Sequence, residues 1–144
     1  RYFDNKIVSH NFESEESLII DKLEKVNENV KNYKLVVIDE GQFFPDLKQY
    51  VIKWVDEYKL HVVVGGLDGD FKRDKIGQIL DLIPHSDFCQ KYSSLCKLCN
   101  DGTPAIFSHR TVDTTDQIQI GGGESYIPLC RSHYLDNERL SIKL

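Results

Sequence analysis

Two short motifs constrain this chain more than anything else in it. Cys96-Lys97-Leu98-Cys99 sets two thiols three positions apart, and Cys130-Arg131-Ser132-His133 sets a thiol and an imidazole at the same offset. Three thiolates and one imidazole make the closed tetrahedral set of a structural Zn²⁺, with no position left open for catalysis. Meeting that demand brings the chain around 96–99 against the chain around 130–133, whatever lies between. Two disulfides from the four cysteines would explain neither the paired spacing nor the histidine, so metal is the better reading. His109 is a rival fourth ligand that lacks the knuckle spacing. Cys89 is left over and is expected to be a buried strand residue, and His10, His61 and His85 are read as surface or core residues.

Ahead of these motifs the apolar pattern is that of an α/β protein. Residues 13–30 put Leu18, Ile19, Leu23, Val26 and Val30 on one helical face. Glu13, Glu15 and Glu16 stand where a helix N-terminus favours negative charge, so a helix is predicted there. Leu35-Val36-Val37-Ile38 is a continuous apolar run suited to a strand buried on both faces of a parallel sheet. Leu47, Tyr50, Val51, Trp54, Val55 and Tyr58 form the stripe of an amphipathic helix over about 46–58, and His61 to Leu67 reads as a second buried strand. Together they predict a strand-helix-strand unit with a right-handed crossover. Ile76, Ile79, Leu80 and Ile83 predict a short helix that Pro84 stops, and 87–95 one more strand. Beyond Cys96 the short alternating runs Ala105-Ile106-Phe107 and Ile118-Gln119-Ile120, with a Gly121-Gly122-Gly123 turn, predict a β-ribbon carrying a long loop. The expected division is an α/β core at 1–95 and a zinc-binding subdomain at 96–144.

Composition narrows the partners. A hydrophobic share of 40% over 144 residues is enough for an ordinary core. The net charge of −5 comes from acids and bases mixed along the chain, and only Lys97, Arg110 and Arg131 lie near the knuckles. Neither a nucleic acid nor a membrane surface is an expected partner. No run approaches the roughly 18 apolar residues that a membrane helix needs, and no charged-then-apolar leader opens the sequence, so a cytoplasmic location is expected. The chain begins Arg1-Tyr2-Phe3 and contains no Met, which points to a partial sequence.

An apolar strand that ends in an acid, as Val36-Val37-Ile38-Asp39-Glu40 does, has the form of a Walker B element. Such elements place a carboxylate at the carboxyl edge of a parallel sheet, where open α/β folds bind ligands. On its own the signal is weak, because strands often end in solvated acids. Its neighbours sharpen it. Asp39-Glu40-Gly41-Gln42-Phe43-Phe44-Pro45 is followed, after the next strand, by Leu67-Asp68-Gly69-Asp70-Phe71-Lys72-Arg73. The two segments, in this order, resemble the type II thymidine kinase family. The resemblance continues through Arg1-Tyr2, Val8-Ser9-His10, the two knuckles, Ile120-Gly121-Gly122 and Tyr126, and so covers nearly the whole chain. One departure is His133, where the family often has a fourth cysteine.

The resemblance implies a P-loop-type parallel sheet followed by a zinc-bearing β-ribbon with a lasso loop. It implies transfer of the γ-phosphoryl group of ATP, with Mg²⁺, to the 5′-hydroxyl of thymidine, deoxyuridine being a rival substrate. A sugar hydroxyl needs a base to take its proton, and Glu40 matches the family's. Asp39, placed on the opposite side of the strand edge by the period-2 rule, would help hold the water shell of Mg²⁺, and Gly41, Gln42 and Arg1 would serve the ATP side. Phe43, Leu67 and Phe71 match the positions that pack the flat base, each of them equally at home in a core. Arg73 suits a phosphate contact. Gln117, Ile118, Gln119, Ile120 and Gly121 match the loop that reads the base through main-chain groups, and Tyr126 would offer its hydroxyl to the sugar or phosphate side. A homotetramer and feedback inhibition by thymidine triphosphate are implied by the same likeness. No G-x-x-x-x-G-K-[ST] occurs. The expectation is therefore an inactive piece of an intact kinase, lacking the first sheet strand and carrying an unpaired sheet edge. A zinc-ribbon binding or regulatory module that has lost its chemistry is the alternative from another class.

Overall fold

A computed structural model describes residues 2–3, 6–8, 13–111 and 125–141. The chain divides into two compact units, one made of Arg1–Gly66 with Gly77–Leu82, the other of Leu67–Ile76 with Ile83–Leu144. The expected boundary after residue 95 falls inside the second unit.

The first unit opens with a small antiparallel sheet of β1 (Tyr2–Phe3), β2 (Lys6–Val8) and β3 (Ser14–Glu16). β3 and the turns after it replace the helix expected over 13–30: two 3₁₀ turns, Leu23–Val26 and Asn29–Asn32, stand there instead. The cause is a side chain distant in sequence. The Asp46 carboxylate accepts the backbone N–H groups of Leu23 and Glu24 at 3.1 and 3.0 Å, donors that a continuous helix would have spent on its own carbonyls. Leu23 and Val30 still reach the core, whereas Leu18 is 72% exposed.

β4 (Leu35–Ile38), α1 (Leu47–Asp56) and β5 (His61–Val64) form the expected strand-helix-strand unit. β4 and β5 are parallel, with Leu35 opposite His61 and Ile38 opposite Val64. Alternation decides what they bury. Ile38 packs with Leu47, Val51, Trp54 and Leu60, joined at the margin by Val36, Val62 and Val64. Leu35, Val37 and Val63 point the other way and are exposed. The expectation of strands buried on both faces is thus corrected, because among the described residues α1 and the 3₁₀ turns cover one face alone. Leu47, Val51 and Trp54, at i, i+4 and i+7, are the buried stripe of α1. Gln78 caps the helix from a distance: its side-chain oxygen accepts the Lys48 N–H at 2.9 Å and its amide donates to the Pro45 carbonyl at 2.8 Å. The helix predicted at 76–83 is a 3₁₀ helix, Ile79–His85, which contains Pro84 instead of stopping before it.

The second unit is built on two hairpins and a helix. β6 (Ser94–Leu95) pairs antiparallel with β7 (Pro104–Ala105), β8 (Phe107–Arg110) with β9 (Tyr126–Leu129), and α2 (Arg131–Ser141) follows. Within 87–95 only Ser94–Leu95 is strand, and Cys89 is exposed and outside any strand, contrary to expectation. Cys96, Ala105, Leu129 and Tyr134 make the core of this unit. No helix among the described residues is long and apolar enough to cross a membrane.

Candidate active site and metal centre

In the first unit the acidic turn begins where β4 ends. Glu40 has φ 53°, the left-handed region, and leads into the 3₁₀ turn Gly41–Phe43. The period-2 rule therefore does not carry past Asp39: the backbone has left the strand, and Glu40 is aimed by the turn. Its carboxylate accepts a hydrogen bond of 2.5 Å from the Gln42 side-chain amide. Gln42 is only 4% exposed. Its surroundings leave no space for side chains: a Cβ on Gly66 would run into its side-chain oxygen, and one on Gly77 into its carbonyl. Gly41 is held too, donating its N–H to the Gly65 carbonyl at 2.9 Å, while an added Cβ would lie 2.7 Å from Val64. Gly41 and Gln42, expected to serve the ATP side, are thus interior parts of the turn that presents Glu40. Asp39 and Phe43 are exposed, Phe43 at 49%.

In the second unit the four expected ligands converge. Their donor atoms all lie within 4.8 Å of one another, with Cys99 Sγ to Cys130 Sγ at 3.7 Å and His133 Nδ1 at 3.5, 3.4 and 3.4 Å from the sulfurs of Cys96, Cys99 and Cys130. Around a tetrahedral Zn²⁺ with Zn–S about 2.3 Å and Zn–N about 2.0 Å, ligand atoms stand roughly 3.5 to 3.8 Å apart. The separations of His133 Nδ1 from the three sulfurs and of Cys99 from Cys130 fall close to that spacing. Burial works to raise the Cys96 thiol, but hydrogen bonds from the backbone of Cys130 and Cys99, from His133 and from the backbone of Leu98 bring it down to about 5. Burial, with Cys96 and Cys130 beside it, pushes Cys99 up to about 11. Crowded thiols resist ionising together, and a divalent cation is the partner that would hold all of them as thiolates. His109, the rival ligand, instead meets the Tyr134 ring edge-on with centroids 6.3 Å apart.

The loop carrying Leu67, Phe71 and Arg73 is closed by a bridge between Gly69 and Lys75. The Asp70 carboxylate stiffens it by accepting the Lys72 and Asp74 N–H groups at 2.8 and 2.9 Å. It is tied to the metal centre through Tyr134, one residue past His133, whose hydroxyl donates to the Phe71 carbonyl at 2.6 Å. Arg73 Cζ lies 4.9 Å from the Tyr134 ring centroid and 5.7 Å from that of Phe107, within cation–π range of both. Leu67 is 50% exposed. Phe71 and Tyr126 are brought together by Arg110, which carried no site assignment in the sequence reading. Buried in β8, it holds its guanidinium 3.7 Å from the Phe71 ring centroid and donates to the Tyr126 hydroxyl at 2.8 Å. The only signal in the sequence was an arginine closing a mostly polar strand next to a long loop. Arg1, Gln117, Ile118, Gln119, Ile120 and Gly121 lie outside the described residues.

A small parallel α/β sheet with an acid-bearing turn, joined in one chain to a Cys₃His cluster, defines an α/β protein with a group of side chains that could hold a metal ion. The thymidine kinase family model matches residues 1–134. Thymidine kinase of Oryza sativa subsp. japonica is 45% identical over 104 residues, 72% of this chain and 38% of the rice protein. Thymidine kinase 1 of Dictyostelium discoideum is 35% identical over 138 residues, 93% of this chain and 60% of that protein. Thymidine kinase of Vaccinia virus, strain Western Reserve, is 36% identical over 129 residues, 90% of this chain and 71% of the viral protein. The chain belongs to the thymidine kinase family. It spans 38% of the length of the rice relative and 60% of the Dictyostelium one.

Proposed function

We propose that the intact protein is an ATP-dependent thymidine kinase that moves the γ-phosphoryl group to the 5′-hydroxyl of thymidine, with deoxyuridine as a second acceptor. The observation that carries the reading is Glu40. In a chain of this family, its carboxylate stands at the carboxyl end of a parallel strand pair, on a left-handed turn, gripped by a buried amide. Glu40 takes the hydroxyl proton as the phosphoryl group arrives. Asp39, exposed at the strand end, fits an outer-sphere role and would help hold the water shell of the Mg²⁺ that accompanies ATP; that ion supplies charge neutralisation when bound. Phe43, Leu67 and Phe71 offer faces for the base, Arg73 and Arg1 for phosphate, Tyr126 its hydroxyl, and Gln117 to Gly121 main-chain groups for the base edge. Zn²⁺ on Cys96, Cys99, Cys130 and His133 is structural.

The 144 residues contain no glycine-rich phosphate loop, so by this reading they do not turn over alone and the P-loop half of the site is supplied by chain outside them. On family likeness the reading extends to a lasso loop within 112–124, a cytoplasmic homotetramer and inhibition by thymidine triphosphate. The test is Glu40→Gln in the intact protein. The variant keeps its fold and zinc while kcat falls about 10²- to 10⁴-fold, the usual share of a general base. An unchanged kcat would remove Glu40 from the chemistry.

A further inference from the structure

Arg110 is the one buried cation among the described residues, at 7% exposure, and a buried guanidinium calls for a reason. It touches two side chains that the proposed function places around the nucleoside. Its Cζ lies over the Phe71 ring, 3.7 Å from the centroid, and its Nη2 donates to the Tyr126 hydroxyl at 2.8 Å, with the Tyr126 ring centroid 5.4 Å from Cζ. Arg110 and Tyr126 are direct partners in the β8–β9 register. The next pair outward is the last one described, where the Thr111 N–H donates to the Ser125 carbonyl at 2.9 Å. These residues form the outer end of the β8–β9 pair.

We infer that Arg110 is a positioning residue for nucleoside binding: it locks the Phe71 ring and the Tyr126 hydroxyl to the outer end of the β8–β9 pair, so that the two present themselves as one surface. The inference rests on the thymidine reading of the site. The chemistry demands arginine. A planar fork stacks on an aromatic face and directs an N–H in its own plane at a hydroxyl, whereas a lysine ammonium is a hydrated point charge that does one or the other. Fixing Phe71 and Tyr126 before the nucleoside arrives spares their ordering at binding, which appears as affinity. ATP, held elsewhere, gains nothing from it.

The experiment measures thymidine dissociation constants and ATP KM in the intact, zinc-loaded protein for wild type, Arg110→Lys, Tyr126→Phe and the double variant. Zinc content and the thermal midpoint are recorded for each. Arg110→Lys keeps zinc and charge, weakens thymidine about tenfold or more, and leaves ATP KM within about twofold. The double variant is less than additive, because both single changes cut the same hydrogen bond. Unchanged thymidine affinity in Arg110→Lys, full additivity, or losses that follow zinc content and melting would overturn the inference. A wild type that binds no thymidine would remove the functional reading beneath it, an outcome visible before any variant is compared. If Arg110→Lys does not fold, Arg110→Gln, whose amide can still donate to the Tyr126 hydroxyl but which loses the cation over the Phe71 ring, carries the test with the same readouts.

Discussion

Gln42 shows how much of the acidic turn is held by close approach. Its buried amide reaches Glu40, while Gly66 and Gly77 come so near that neither position admits a Cβ. Gly77 carries the second constraint of φ 58°, which an L side chain adopts at a cost of about 1–2 kcal/mol. Gly77→Ala adds a collision with the Gln42 carbonyl, and overpacking of that kind costs a further 1–3 kcal/mol or so. Denaturant unfolding should therefore show a loss of about 2 kcal/mol or more. A loss under about 0.5 kcal/mol would mean that the turn is not gripped as described. The glycines are visible in the sequence, but the need for them is not: it arises from a residue 35 positions away in one case and 24 in the other. Arg110 was hidden for the same reason, since nothing in Phe107-Ser108-His109-Arg110 announces that Phe71 will lie beneath the guanidinium. The cluster that could hold a metal was legible because metal-binding chemistry imposes a spacing that can be read without knowing the fold.

Elements whose own residues decide their shape were also legible. β4, α1 and β5 follow from an apolar run, a helical stripe and a run of valines, and all three are present. The segment 13–30 carries an equally good helical stripe, yet it is two 3₁₀ turns because Asp46 captures the N–H groups that would start a helix. Periodicity reports which side chains want burial, and it does not report a competing acceptor. In the second unit the hairpins and α2 are short, and the elements meet at the cluster: Cys96 follows β6, Cys130 precedes α2 and His133 lies in its first turn. If the proposed Zn²⁺ sits on this cluster, its binding free energy is folding free energy for the elements that meet there. A strong chelator, or Cys99→Ser, should accelerate amide exchange at Leu129 and Tyr134 by about 100-fold or more, equivalent to losing roughly 3 kcal/mol of local stability. Exchange that ignores zinc removal would show that the hairpins hold themselves.

At the scale of the molecule, the residues of the proposed site are distributed over two compact units. The first holds the acidic turn, and the second holds Tyr126, the Cys₃His cluster and the loop of Phe71, to which Tyr134 ties that cluster. The exposed face of Leu35, Val37 and Val63 on the parallel pair marks the part of the fold least legible from the sequence, because an unbroken apolar run says that a strand wants cover without saying what supplies it. The claim on which the account rests is the reaction, and the direct measurement is to incubate the intact, zinc-loaded protein with ATP, Mg²⁺ and thymidine and identify the products. The account predicts thymidine 5′-monophosphate and ADP in equal amounts. A folded, zinc-loaded protein that phosphorylates neither thymidine nor deoxyuridine would contradict it and leave a metal-stabilised binding module in its place.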